Sequence, residues 1–143
     1  MRLKEVMTTH VQGISAHQTI CEAAQVMERL RVGAVPVFQD GRPIGIVTDR
    51  DIVVRGISAG LDCNQTHISE VMSNELLSLS EDTDIKTAAR QMEERQIRRL
   101  LVTGESGEIV GIVSIGDIAA KAGQHGLSAE LIETVSQPAQ PTR

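Results

Sequence analysis

The chain has 143 residues, 41% of them hydrophobic and 23% charged, with a formal net charge of −5. These values are typical of a folded domain with a core, and no apolar run reaches the ~20 residues of a membrane span. A negative net charge and a single aromatic residue, Phe38, disfavour nucleic acid, which needs clustered basic residues or aromatic stacking platforms. We therefore expect no membrane and no nucleic-acid partner, no signal peptide, and a cytoplasmic location.

The first predicted helix follows Thr19, because apolar residues recur at positions 20, 23, 24, 27 and 30. Thr19 is its expected N-cap, with Glu22 completing a capping box. Two β-prone runs come next, Ala34–Phe38 and Pro43–Val47. The Asp40-Gly41 pair between them predicts a hairpin. A further helix is predicted near residues 49–59.

The same order then repeats after a polar stretch at 60–69. Val6-Met7-Thr8 returns as Val71-Met72-Ser73, and the helical stripe from Ile20 returns from Ile85. The second hairpin is predicted from runs at 100–103 and 108–113, with a helix near 115–122. Several blocks recurring in one order indicate two copies of a β-α-β-β-α unit.

These blocks resemble the CBS-domain (Bateman) family over residues 3–122, and the chain is similar to small stand-alone bacterial stress- or hypoxia-response CBS proteins. The resemblance implies an α+β fold in which tandem β-α-β-β-α repeats pack around a pseudo-twofold axis and leave two related clefts. The expected boundaries are 1–60 for repeat 1, 61–69 for a linker, 70–123 for repeat 2, and 124–143 for a C-terminal helix (127–135) and flexible tail. A homodimer and a separate effector protein are expected from the same resemblance.

A Gly-x-x-Ser/Thr-x-x-Asp segment closes each copy, at Gly45–Asp51 and Gly111–Asp117. The hydroxyl residue, Thr48 or Ser114, is placed to cap a helix whose backbone amides attract phosphate. The aspartate, Asp51 or Asp117, lies in the first turn, where a carboxylate can accept hydrogen bonds from a ribose diol. In the family, the hydroxyl lies near the phosphate and the aspartate binds the ribose. An ordinary capping box explains the same residues, and that alternative stays open.

The two copies differ where Arg98-Arg99 in one aligns with Gly33-Ala34 in the other. An arginine fork suits phosphate, so the two clefts are expected to be unequal. Pairing of the arginines with Glu93 or Glu94 is the alternative. The resemblance implies that Arg99, Ser114 and Asp117 face residues 7–12 and 32–33, and that Thr48, Arg50 and Asp51 face residues 72–77 and Ile97. The predicted ligand-binding residues are Met7, Thr8, Gln12, Val32, Gly33, Thr48, Arg50, Asp51, Ser73, Leu77, Ile97, Arg98, Arg99, Ser114 and Asp117, with first preference for the cleft of Arg99, Ser114 and Asp117.

The sequence contains no P-loop, nucleophile elbow or zinc-ligand spacing, so we expect neither an enzyme nor a metal site. Cys21 and Cys63 are interpreted as isolated thiols, and a disulfide requires α-carbons within ~7 Å. The predicted function is regulatory binding of an adenine nucleotide (AMP, ADP, ATP, NAD(H)) or S-adenosylmethionine, with no required cofactor. The alternative is an interaction or dimerisation module without a physiological nucleotide.

Overall fold

The structure is a computed structural model that describes residues 1–124, and these residues form two compact units. The first unit is His10–Leu76, and the second unit joins Met1–Thr9 to residues 77–124. Each unit contains one three-stranded sheet with helices, so the predicted α+β class and the repeated element order are confirmed. The predicted helix at 127–135 and the tail after it lie outside the described residues.

In the first unit, strand β1 pairs in parallel with β2, and β2 pairs antiparallel with β3. The elements are β1 (Ile14–Ser15), α1 (Ile20–Leu30), β2 (Ala34–Gln39), β3 (Arg42–Thr48), α2 (Asp49–Asp51), a π-helical segment at Ile52–Ile57 that continues α2, and a 3-10 turn at Ile68–Glu70.

Helix α1 begins at the predicted cap, since the Thr19 side chain accepts a hydrogen bond from the Glu22 N–H. The Glu22 carboxylate instead accepts from the Gln18 amide at 2.8 Å, so the capping-box half of the prediction is wrong. The buried face also differs in one position, because Ala24 is exposed and Val26 is buried. The apolar periodicity predicted the helix correctly, but not which of its residues face the core.

The first hairpin turns at Asp40 and Gly41, whose φ values are 53° and 77°. Positive φ at both central residues matches the twist of the flanking strands, which is why an Asp-Gly pair favours this turn. The predicted helix near 49–59 is irregular: three α-helical residues give way to the π-helical segment. This segment sets Gly56 against Ile20, where an added Cβ would lie 2.9 Å from Ile20 Cδ1.

The second unit repeats this plan with its strands in the order β4-β5-β6. Its elements are a 3-10 turn at Leu3–Glu5, β4 (Ser78–Ser80), α3 (Ile85–Arg95), β5 (Arg99–Thr103), β6 (Ile109–Ser114) and α4 (Ile115–Gln124). Asp84 caps α3 by accepting from the Lys86 N–H at 2.9 Å.

The core of each unit is completed by a segment from outside its own repeat. Leu3 and Val6 are buried in the cluster that contains Met92 and Leu100 of repeat 2. Ile68 and Val71, at the beginning of repeat 2, are fully buried in the cluster around α1 and its hairpin. The compact units therefore do not coincide with the two sequence copies, because the short segment that begins each copy packs with the other copy.

The N-terminal segment is held on the second unit by backbone bonds and charges. The Leu3 N–H donates to the Thr83 carbonyl at 2.9 Å, and Lys4 Nζ lies 3.0 Å from Asp82 Oδ1. The Lys4 hydrogen bond, together with the Lys4 charge, lowers the pKa of Asp82 below its ordinary value of 3.8.

A carboxyl whose folded-state pKa is depressed stabilises the fold above its unfolded-state pKa and loses that contribution as the pH falls. We predict that Asp82→Asn flattens the decline in unfolding free energy between about pH 5 and pH 2, as measured by urea titration at each pH. Glu105→Gln, an exposed change in the second hairpin loop, is the control and leaves that decline unchanged. Equal slopes in all three proteins would contradict the role of the Lys4–Asp82 pair.

Candidate functional site

Strand β3 and strand β6 each end on a hydroxyl residue that caps the following helix. The Asp51 N–H donates to Thr48 Oγ1 at 3.0 Å, and the Thr48 N–H donates back to Asp51 Oδ2 at 3.0 Å. Ser114 and Asp117 make the same pair of bonds at 2.9 and 3.0 Å. The capping box is therefore real in both copies. It engages only Oδ2 of each half-buried aspartate, and within residues 1–124 the Oδ1 atoms accept no hydrogen bond.

We call the turn around Ser114–Asp117, with the adjacent start of β5, the second corner. Arg99 lies opposite Ser114 in the β5–β6 ladder, and the Arg98 carbonyl accepts from the Ile115 N–H at 2.8 Å. Both arginines therefore start beside the first turn of α4, Arg98 exposed and Arg99 half-buried. In residues 1–124 the only side-chain cations within 4 Å of a carboxylate are Arg2 and Lys4, so neither arginine pairs with Glu93 or Glu94.

The first corner is the matching turn at Thr48–Asp51, with Gly33 beside it. Here the Asp49 N–H donates to the Gly33 carbonyl at 3.0 Å, as Ile115 does to Arg98. The Asp49 carboxylate fills the space next to Gly33, since an added Cβ there would lie 3.0 Å from Asp49 Oδ2. Its other oxygen accepts from the Arg50 N–H at 2.8 Å. A carboxylate thus stands in the first corner where the second corner has arginine.

The two corners also differ in the hydrogen bonding of one backbone amide. Gly116 occupies the position of Arg50, but its neighbour Ile115 has no side-chain oxygen to accept the Gly116 N–H as Asp49 Oδ1 accepts that of Arg50. Among the described residues the Gly116 N–H has no acceptor, and Gly116 is exposed. The first turn of a helix leaves such donors unpaired, and they attract anions.

The local charges agree with this difference in donors. Asp49, Arg50 and Asp51 give the first corner a formal net charge of −1. Arg98, Arg99 and Asp117 give the second corner a formal net charge of +1. The second corner therefore combines two arginines that have no carboxylate partner within residues 1–124 with a backbone amide that has no acceptor there, and these are groups suited to a phosphate.

The segment that begins each repeat, around Thr8 in the first and Ser73 in the second, crosses the strand that leads into a corner. Thr8 exchanges two backbone hydrogen bonds with Ile112, at 2.9 and 3.1 Å, and Ser73 does the same with Ile46 at 3.0 and 3.2 Å. A Cβ on Gly45 would collide with the Ser73 carbonyl oxygen, and one on Gly111 would lie 3.0 Å from the Thr8 carbonyl oxygen. Glycine in the Gly-x-x-Ser/Thr-x-x-Asp segment therefore permits this crossing.

The remaining predicted residues divide between the units. The second unit holds Met7, Thr8, Leu77, Ile97, Arg98, Arg99, Ser114 and Asp117, and the first holds Gln12, Val32, Gly33, Thr48, Arg50, Asp51 and Ser73. Leu77 is buried in its core, and Gln12 accepts a hydrogen bond from Arg29. Their ligand contacts stay predictions. Sequence reasoning missed Asp49 and the Gly116 amide, although aligning the two copies exposes both differences, Asp49 against Ile115 and Arg50 against Gly116.

The comparisons with known proteins match this architecture. The CBS-domain profile matches residues 3–56 and 68–122, and the chain belongs to the CBS-domain family. It is 44% identical over 117 residues to the CBS domain-containing protein YhcV of Bacillus subtilis, covering 82% of each chain. Hypoxic response protein 1 of Mycobacterium tuberculosis is 33% identical over 136 residues, with 94% of each chain covered.

Two solved structures extend the comparison. Hypoxic Response Protein I with two coordinated zinc ions superposes at a TM-score of 0.67 and 35% identity, over 85% of this chain and 98% of that one. The CBS-domain pair of MJ0100, in complex with 5′-methylthioadenosine and S-adenosylmethionine, has a TM-score of 0.74 at 23% identity, over 87% and 98%. Within residues 1–124 no three His, Cys, Asp or Glu side chains are grouped to hold a metal ion, and no helix there is long and apolar enough to cross a membrane.

The glycine crossings can be tested by adding one methyl group. Gly45→Ala places a Cβ against the Ser73 carbonyl, so we predict a loss of about 1–3 kcal/mol in the free energy of unfolding. Gly123→Ala is the control, because nothing lies within 4 Å of its Cβ on α4 and alanine favours helix. Urea unfolding measures both variants, and a Gly45→Ala protein as stable as wild type would contradict the crossing.

Proposed function

We propose that the chain is a regulatory module that binds an adenine nucleotide at the second corner. The observation that carries the proposal is that the backbones of Arg98 and Arg99 adjoin the start of α4, where within residues 1–124 neither arginine has a carboxylate partner and the Gly116 N–H has no acceptor. A phosphate on these groups would receive charge-assisted hydrogen bonds and the favourable end of the helix dipole. The first corner lacks this combination because Asp49 already occupies its amide.

The nucleoside part of the ligand is assigned to the same turn. Asp117 Oδ2 is committed to the cap, whereas Oδ1 is available to accept from a ribose hydroxyl. The adenosine class is supported by the MJ0100 pair, which has the same fold and was solved with 5′-methylthioadenosine and S-adenosylmethionine. The net positive charge of the second corner favours AMP, ADP, ATP or NAD(H) there over S-adenosylmethionine, whose sulfonium is cationic.

The module is proposed to regulate rather than catalyse. CBS-domain pairs are typically regulatory, and the corner offers groups that bind phosphate and ribose but no base held against a nucleophile. The bound nucleotide would alter a separate effector protein in the cytoplasm, and no further cofactor is required. Such signalling needs a ligand that favours one arrangement of the module over another.

Self-association is proposed through the segment that follows the first corner. The large hydrophobic residues that are exposed within residues 1–124 are Val53, Ile57 and Leu61, at 58%, 56% and 38% exposure. Val53 and Ile57 lie in the π-helical segment, and Leu61 follows in the chain just after it. Exposed large apolar residues close together in the chain offer a surface for association about a twofold axis.

Replacing Ile57 with glutamate tests the homodimer. We expect Ile57→Glu to shift the protein from dimer to monomer in light scattering after size exclusion, because the interface would bury an unpaired charge. Ser58→Glu adds the same charge at the exposed neighbouring position and leaves the dimer intact. A monomeric wild type, or a dimer that Ile57→Glu does not weaken, would rule out this interface.

The nucleotide proposal is tested by comparing AMP with adenosine. We predict that Arg99→Ala raises the Kd for AMP by about 10- to 100-fold, which corresponds to loss of a charged hydrogen bond, and leaves adenosine binding nearly unchanged. Arg50→Ala removes the same charge from the first corner and leaves both affinities near wild type. Isothermal titration calorimetry gives the constants.

Three results would count against the proposal. If Arg99→Ala weakened AMP and adenosine binding equally, Arg99 would not be a phosphate ligand. A larger effect of Arg50→Ala would move the phosphate to the first corner. No binding or thermal shift with any adenine nucleotide at millimolar concentration would leave the alternative, an interaction module without a nucleotide ligand.

A further inference from the structure

We propose that Cys21 and Cys63 form a reversible intramolecular disulfide, which makes the first unit a site of redox modification. The two thiols are far apart in sequence, yet the Cys21 N–H donates to the Cys63 carbonyl at 3.1 Å. A backbone N–H···O bond holds two residues side by side, and the α-carbons of hydrogen-bonded pairs in antiparallel strands, for example, are about 5.5 Å apart. Disulfide-bonded cysteines have α-carbons about 4.4–6.8 Å apart, so the backbone needs little movement to close the bond.

Both cysteines lie on ordered backbone. Cys21 is the second residue of α1, and the Gln25 amide nitrogen lies 3.9 Å from its Sγ. Cys63 lies in a turn where the Asp62 carbonyl accepts from the N–H groups of Gln65 and Thr66, at 3.1 and 2.9 Å. The Ile20 N–H also donates to the Thr66 carbonyl, at 3.0 Å.

Two adjacent backbone hydrogen bonds therefore connect this turn to the start of α1. These bonds keep Cys21 and Cys63 next to each other in the folded chain. Each cysteine is also partly exposed, with Cys63 resting against the hydrophobic cluster of the first unit. Neither residue is buried, which distinguishes this pair from the buried, unreactive class of structural cysteines.

The reaction balances with a low-molecular-weight disulfide, such as oxidised glutathione, as the oxidant. One cysteine thiolate attacks a glutathione sulfur, so a mixed disulfide forms and one glutathione thiolate leaves. The second cysteine thiolate attacks the protein sulfur of that mixed disulfide, and the second glutathione leaves. The two protein thiols lose two electrons and two protons in total, and oxidised glutathione is reduced to two molecules of reduced glutathione.

The bond would close a loop containing α1, the first hairpin, the first corner and the exposed apolar segment. Loop closure restricts the unfolded chain more than the folded one, so the oxidised protein should be harder to unfold. It would also fix the turn at 62–66, from which the chain continues into the segment that crosses β3 at Ser73. Oxidation state thereby becomes a second input to the same module.

The test incubates the full-length protein with oxidised glutathione and maps its peptides without reduction. We expect the tryptic peptides 5–29 and 56–86 to be joined, with both thiols lost together because the chain has only these two cysteines. The thermal midpoint should rise by roughly 5–15 °C, and dithiothreitol should reverse the rise. The rate of the second step should be independent of protein concentration.

Cys21→Ser and Cys63→Ser are the matched controls, each of which should stop at the stable mixed disulfide without a rise in the midpoint. Either variant suffices if the other does not fold. Wild type that ends with glutathione on both cysteines, or that links two chains through these cysteines, would overturn the proposal. Linkage between 5–29 and 56–86 only after urea unfolding would overturn it as well, since the folded chain would then not hold the pair together.

Discussion

The backbone crossings at Gly45 and Gly111 are the constraint on which the rest of the structure depends. At each, a short segment passes so close to a hairpin strand that a side chain on the glycine would strike it. The segment that begins each repeat therefore packs with the other repeat. Thr8 hydrogen-bonds to Ile112 of repeat 2, and Ser73 hydrogen-bonds to Ile46 of repeat 1. Duplication of the sequence thus yields units that are each built from both copies.

The candidate site depends on how the copies diverged beside these crossings. The capping boxes at Thr48–Asp51 and Ser114–Asp117 have nearly identical bond lengths, so the cap positions a helix start in both copies. The neighbouring residues decide what that helix start can bind. In the first corner, the Asp49 carboxylate accepts from the backbone N–H of Arg50. In the second corner, Ile115 offers no such acceptor to the Gly116 N–H, which lies near the backbones of two arginines. The Ser/Thr-x-x-Asp segment is thus a helix cap in both copies, and in the second copy it also forms part of the proposed phosphate site.

Much of this could be predicted from the sequence. The duplicated blocks gave the element order, and Thr19 and the Asp40-Gly41 turn gave local boundaries through well-understood capping and turn chemistry. The exchange of segments between copies was implied by the family resemblance but not by the residues themselves, because nothing in the sequence around Leu3 or Ile68 says which helix they pack against. The π-helical segment after Asp51 was also missed; it brings Gly56 close to Ile20, a tertiary contact that local sequence patterns do not reveal. The Gly116 N–H without an acceptor is found only by assigning an acceptor to each backbone N–H in the first turn of α4, which requires the structure.

The most direct test of the central claim, that a phosphate sits at the second corner, is an amide NMR titration of the isotopically labelled protein. Addition of AMP should move the backbone amide resonance of Gly116 to a greater extent than that of Arg50, because only Gly116 has an N–H free to donate to the phosphate. Adenosine, which lacks the phosphate, should leave Gly116 nearly unmoved. A large shift at Arg50 with an unperturbed Gly116 would contradict the account.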